Sequence, residues 1–240
     1  MKYKYKLYGA ILGDLCGQPY ERVAKIPKKI NIHNPNSHIT DDTVMTLASA
    51  YSLIHGTDIG ITYRSFVKKY PDCGFGGRFK AWAFSTGTQQ NDSYGNGCLM
   101  RVSPFMWVPN SLNKLMESVL CSHNHPESVA AVLSLCDLYT NFYRLDGITE
   151  LPEKFKKLEV ACYPTIDYVE KVVDNYYSSS TVDVITLAIS HGGDTDTNAS
   201  IIGEIYNYQR KDITKQDAAY IESKLDPFLL GILKEFNENY

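Results

Sequence analysis

The sequence has no excess of basic charge: 24 Lys and Arg stand against 27 Asp and Glu, a formal net charge of −3 over 240 residues. A weakly acidic chain is poorly suited to gripping nucleic acid through phosphate neutralisation, so no direct nucleic-acid binding is expected. A small phosphate-bearing ligand is not excluded, because a few backbone N–H groups can hold one. Long apolar runs are missing too. No stretch approaches the roughly 18–20 apolar residues that a membrane span needs. Lys2, Lys4 and Lys6 before Leu7 to Leu12 imitate a secretory signal, but the apolar run is short and Asp14 interrupts it, so no signal is read. The six cysteines (Cys16, Cys73, Cys98, Cys121, Cys136 and Cys162) form no C-x-x-C pair, and reduced thiols in a cytoplasmic setting are the simpler reading. Cys121, His123 and His125 lack a second ligand pair for zinc and are read as unconnected residues near a helix end.

Repeats, low-complexity tracts and separating linkers are also missing, so residues 1–240 are expected to form a single domain. With 44% hydrophobic and 21% charged residues, the chain is long enough and apolar enough for one sizeable core. What is present is helical periodicity almost throughout. Tyr8 to Tyr20 carries small and apolar residues at helical spacing, and Gly9, Gly13 and Gly17 stack on one face where another helix can approach closely. Further helices are expected over Asp42 to His55, Ile61 to Tyr70, Ser111 to Ser122 with an N-cap serine, and Pro126 to about Tyr143. Others are expected over Pro164 to about Tyr177, Val182 to Ser190, Thr197 to Gln209, Lys215 to Leu225 and Pro227 to Glu238. Val182 to Ile189 could be a strand by composition. No alternating series and no Asn-Gly hairpin joins two strand-like runs, so the fold is read as all-α. Polar residues collect in the connections Asn31 to Asp41, Cys73 to Gly77, Gly87 to Gly97 and Ser190 to Asp196, where functional groups commonly sit.

Two of these connections end in carboxylates. Thr40-Asp41-Asp42-Thr43 precedes one helix, and Gly192-Gly193-Asp194-Thr195-Asp196-Thr197 precedes another. Adjacent carboxylates repel unless a cation or a helix N-terminus compensates them. Hard oxygens suit Mg²⁺, Mn²⁺ or Ca²⁺. The plain alternative for each motif is a helix N-cap with acidic first-turn residues. An EF-hand is rejected, because Ala199 stands where its glycine belongs and Ile205 where its glutamate belongs. If the loops meet, Thr40, Asp41, Asp42, Asp194, Asp196 and Thr197 supply enough oxygens for two divalent ions.

Three further motifs need an account. Gly13-Asp14-Leu15-Cys16-Gly17-Gln18-Pro19-Tyr20-Glu21 is no dinucleotide fingerprint, because its glycines recur every four residues within a helix. Asp14 could brace a polar centre, and Glu21 lies just past the helix-ending Pro19. In Ser93-Tyr94-Gly95-Asn96-Gly97-Cys98-Leu99-Met100-Arg101, the glycines leave backbone N–H groups open, which suits a phosphate cradle or a simple surface turn. Ser122-His123-Asn124-His125-Pro126 joins a helix end to a Pro-started helix.

In this order the five motifs resemble the ADP-ribosylglycohydrolase family, which includes dinitrogenase reductase-activating glycohydrolases and cellular ADP-ribosyl-acceptor hydrolases. The matching positions run from Gly9 to Gly203. The resemblance implies a compact all-α domain with a binuclear metal cleft. It implies two Mg²⁺ (or Mn²⁺) ions held by Thr40, Asp41, Asp42, Asp194, Asp196 and Thr197. It places the ADP-ribose contacts at Ser93, Tyr94, Gly95, Asn96, Gly97 and His123, and points to Glu21 or Asp41 as the catalytic carboxylate. Tyr20-Glu21 and Ser93-Tyr94 resemble the subgroup that removes ADP-ribose from serine. The implied activity is hydrolysis of the glycosidic bond between ADP-ribose and a modified protein or small-molecule acceptor; the rival is a non-catalytic ADP-ribose-binding module. The chain is shorter than typical members, and Asn207 replaces a glycine in the last family helix.

Overall fold

In the computed structural model, which describes residues 3–86, 91–142 and 160–240, no strand forms among the described residues. The architecture is all-α. Its helices are α1 (Tyr8–Gly17), α2 (Asp41–His55), α3 (Ile59–Lys69), α4 (Gly77–Phe84), α5 (Ser103–Trp107), α6 (Leu112–Leu120), α7 (Pro126–Thr140), α8 (Cys162–Tyr176), α9 (Thr181–His191), α10 (Thr195–Arg210), α11 (Lys215–Lys224) and α12 (Pro227–Asn239). Short 3₁₀ turns follow α1 at Gln18–Tyr20 and precede α5 at Asn96–Cys98.

At the centre α1 lies along α10. Every residue of α1 is buried, as is α10 from Thr195 to Asn207. The glycine stripe makes this possible. A Cβ at Gly9, Gly13 or Gly17 would fall on the carbonyl of Gly203, Ala199 or Thr195 respectively. Backbones packed this closely leave no room for even one methyl group. Asn207 does not loosen the contact. Its Nδ2 donates to the carbonyl of Tyr5 (2.9 Å) and to Glu204 Oε2 (3.2 Å), and Tyr3 Oη donates to its Oδ1 (2.5 Å). Glu204 is fully buried and accepts from Leu7 N, Ala10 N and Trp107 Nε1, which ties α10 to the start of α1.

Helix boundaries follow local chemistry. Gly56 adopts the left-handed conformation (φ 64°) that ends α2. Asp58 caps α3 by accepting from Ile61 N, so that helix starts two residues before the expected Ile61. Ser180 and Asp183 form a reciprocal capping box for α9, which makes the β-branched run Val182 to Ile189 helical. Ser111 does precede α6, but its hydroxyl donates to Phe105 O and caps nothing. The helix begun by Pro126 ends at Thr140, and Tyr143 lies outside the described residues. No helix among the described residues is long and apolar enough to cross a membrane.

Candidate active site

α1 places Asp14 against the start of α2, and both oxygens of that buried carboxylate are used. Oδ2 accepts from Thr40 N (3.0 Å), Thr43 N (3.1 Å) and Thr43 Oγ1, and Oδ1 accepts from Thr40 Oγ1 (2.8 Å). Asp14 is therefore the brace that fixes the N-terminus of α2. Thr40 also accepts from Asp42 N (3.2 Å) and so caps α2, as the plain reading of its motif required.

The second acidic motif behaves differently. Asp194 occupies the N-cap position of α10 but makes no capping bond with its side chain. Its Oδ2 accepts instead from Asn96 Nδ2 (2.6 Å). Thr197 Oγ1 donates to Asp42 Oδ2 (3.1 Å), which joins the first turns of α10 and α2 across 155 residues of chain. One carboxylate oxygen each from Asp14, Asp42 and Asp196 lies within 4.8 Å of the others, and the same holds for Glu21, Asp194 and Asp196. Asp196 belongs to both groups.

Such crowding leaves a charge problem. Burial and the neighbouring Asp196 push Asp41 up to about 8 and Asp14 up to about 7, and raise Asp42 and Asp194 above the ordinary carboxylate range. Glu21 is also raised, by burial and then by Asp196, while Arg22 pulls the other way. Among the described residues the ion-pair partner of Glu21 is Arg22, at 3.2 Å, an exposed side chain in the left-handed conformation (φ 63°). Asp42 Oδ1 is buried without any hydrogen-bond partner. An orphaned carboxylate oxygen inside a carboxylate cluster is a ligand of the kind that a divalent cation takes.

Above the carboxylates the cleft has a volume of about 600 Å³, within the ordinary range for small-molecule sites. One wall is the 93–97 loop. Asn96 N–H donates to Val160 O (2.9 Å) and Cys162 N–H to Tyr94 O (2.9 Å), so the loop is pinned against the start of α8. Gly95 N–H turns back to Ser93 Oγ (3.2 Å). Two of the loop's N–H groups are thus used within the protein, which narrows the phosphate cradle expected from its glycines. Asn96 turns its side chain to Asp194 and Thr165. Tyr94 stands half-exposed at the rim. His123 is buried behind the loop, and its Nε2 lies 3.5 Å from where a Cβ on Gly97 would stand. Another wall comes from the 74–79 segment. Gly74 (φ 95°) passes beside Asp41, whose N–H donates to Cys73 O (2.6 Å).

A family profile described as ADP-ribosylglycohydrolase matches residues 2–171. The chain belongs to the ADP-ribosylglycohydrolase family. A solved structure described as an ADP-ribosylglycohydrolase-related protein complex is similar over 99% of this chain and 98% of that one, with a TM-score of 0.73 at 17% identity; that likeness speaks to the fold. A comparison with curated proteins finds no match. Family membership supports a glycohydrolase activity in broad terms. The acidic clusters provide oxygens that could hold a metal ion.

In this ADP-ribosylglycohydrolase fold all thirteen sequence-derived site residues (Glu21, Thr40, Asp41, Asp42, Ser93, Tyr94, Gly95, Asn96, Gly97, His123, Asp194, Asp196 and Thr197) border one cleft. Residues missed by the sequence reading border it too. Arg78 and Phe79 come from α4, which was not expected as a helix although Phe75, Phe79 and Trp82 recur at helical spacing. Those rings form a row with centroids 6.0 and 5.3 Å apart, and Arg64 lies 4.2 Å from Trp82. His125 caps α7 by accepting from Glu127 N (3.2 Å), which gives the motif's second histidine a structural duty.

Proposed function

We propose that this cleft hydrolyses the glycosidic bond between ADP-ribose and an acceptor and so reverses mono-ADP-ribosylation. The observation that carries the reading is the convergence of Asp42, Asp194, Asp196 and Glu21, from three distant segments, at the base of a cleft walled by the 93–97 loop and His123. Thr40, Asp41, Asp42, Asp194, Asp196 and Thr197 would hold two divalent ions, Mg²⁺ or Mn²⁺. Bound there, the ions supply Lewis-acid orientation of the distal ribose hydroxyls and stabilise developing charge.

The chain's own residues do the rest. Ser93 to Gly97 and His123 hold the ADP-ribose portion and fix C1 of the ribose near the carboxylates, converting binding energy into orientation. As the bond from C1 to the acceptor breaks, the sugar acquires oxocarbenium character, and the surrounding carboxylates favour that positive charge. Glu21 or Asp41 takes the proton of the attacking water, and the acceptor leaves with a proton returned to it. Glu21 is off the helix and only 27% exposed, next to Asp194 and Asp196, which favours a role at the reacting centre over that of a solvated partner for Arg22. With Tyr20-Glu21 and Ser93-Tyr94, serine-linked ADP-ribose is the preferred acceptor class. A turnover panel of serine-, arginine- and O-acetyl-linked ADP-ribose with Mg²⁺ tests this. Release from the serine-linked substrate above the others is expected; release from none overturns the reading.

A further inference from the structure

Arg101 ends the Gly-Asn-Gly-x-x-Met-Arg motif and is completely buried at the edge of the same cleft. Its Nη2 donates to Ser118 O (2.7 Å) and Ser122 Oγ (2.6 Å), and faces His123 Nδ1 at 3.4 Å. The guanidinium lies 4.5 Å from the ring centroid of Tyr63 and 5.4 Å from that of Phe79. No carboxylate pairs with it among the described residues. Nε and Nη1 are buried and make no hydrogen bond. A buried, uncompensated cation is a destabilising element that simple anchoring of α6 does not require. Nη2 alone makes the bonds to Ser118 and Ser122.

The contact with His123 gives the arginine a second duty. A guanidinium only donates, so the imidazole nitrogen opposite it must be an acceptor. Ser122 Oγ already receives a proton from Nη2 and turns its own O–H on the same Nδ1, 2.9 Å away. Both neighbours place the ring proton on Nε2, which faces the Gly95–Gly97 wall. Burial, with the charges of Arg101 and Arg78, holds the ring well below the ordinary histidine range and therefore neutral.

We propose that Arg101 is a positioning residue: it fixes His123 as the Nε2–H tautomer, so that this N–H donates to an anionic oxygen of the ligand diphosphate beside Gly95–Gly97. The buried positive charge of Arg101 is compensated when that anion binds. This rests on the ADP-ribose reading above, so the test has an arm that needs no ligand. Long-range ¹H–¹⁵N correlation spectra of the ligand-free, full-length chain report the tautomer, with His123→Gln supplying the assignment. Nε2–H is expected in the wild type; Nδ1–H overturns the proposal. In Arg101→Met the His123 signal should shift towards mixed tautomers, and ADP-ribose affinity by calorimetry should fall about tenfold or more. Should Arg101→Met not fold, Arg101→Lys replaces it, with the tautomer largely kept and a smaller loss of affinity. A folded Arg101→Met with both tautomer and affinity unchanged overturns the proposal, as does an Arg101→Lys whose affinity equals that of the wild type. A wild type with the Nε2–H tautomer that does not bind ADP-ribose refutes the functional reading and not the tautomer assignment.

Discussion

Asp196→Asn should stabilise the metal-free protein and weaken its response to Mg²⁺. Asp196 belongs to both carboxylate groups, with oxygens of its neighbours within 4.8 Å. At an effective dielectric of about 20, two unit charges at that separation repel by roughly 3.5 kcal/mol. Proton sharing among Asp14, Asp41, Asp42 and Asp194, all pushed upward, removes part of this. About 1–2 kcal/mol should survive as a gain for the neutral variant. Asparagine retains an oxygen for the N–H of Thr197, which Asp196 Oδ1 accepts at 3.0 Å, so that first-turn hydrogen bond of α10 is kept. For a chain of this size the gain corresponds to a rise in Tm of roughly 2–8 °C in EDTA at pH 8. Mg²⁺ at a hundred times its dissociation constant should add about 2.7 kcal/mol per ion to the wild type and much less to the variant. Thermal unfolding followed by circular dichroism measures both. A variant with a lower Tm in EDTA and an undiminished response to Mg²⁺ would refute the reasoning, since Asp196 would then be a structural cap.

The same carboxylates predict a pH dependence. Asp14 and Asp41 bind protons more tightly folded than unfolded, so the stability they contribute is complete below about pH 4 and is lost as pH rises through about 7–8. Metal-free protein should therefore melt lower at pH 8 than at pH 6, with Mg²⁺ reversing the trend; a flat or rising profile contradicts it. Gly13→Ala should destabilise the fold by at least about 3 kcal/mol in urea titration, because the new methyl group meets the Ala199 carbonyl and not a movable side chain. Glu21→Gln should lower turnover strongly while calorimetric Mg²⁺ affinity falls less than in Asp196→Ala; unchanged turnover retires Glu21 as the catalytic carboxylate.

Much of this site could be read from residues alone because its chemistry is concentrated at helix starts. Asp41, Asp42, Asp194 and Asp196 each sit just before or within a first helical turn, where local sequence announces a boundary. Gly9, Gly13 and Gly17 foretold a close helix contact, although only the structure shows that α10 fills it. The meeting of Thr197 with Asp42 is a tertiary fact that no local pattern contains. Local patterns suggested Asp14 as a brace for a polar centre but hid what Arg101 does. That the Asp14 carboxylate accepts four hydrogen bonds from the start of α2 is again a tertiary fact. An arginine buried against Tyr63 and Phe79 looks like a surface cation. α4 and α5 were missed because they are short: eight and five residues give the periodicity little room to declare itself.

The central claim is that the carboxylate cluster works by holding divalent cations against an ADP-ribose conjugate. The direct measurement is release of ADP-ribose from a serine-linked peptide by fully chelated protein, followed by titration with Mg²⁺ and Mn²⁺. Turnover should be absent after chelation, return with either ion, and fail to return in Asp41→Ala and Asp196→Ala. Activity undiminished by complete chelation would contradict the account.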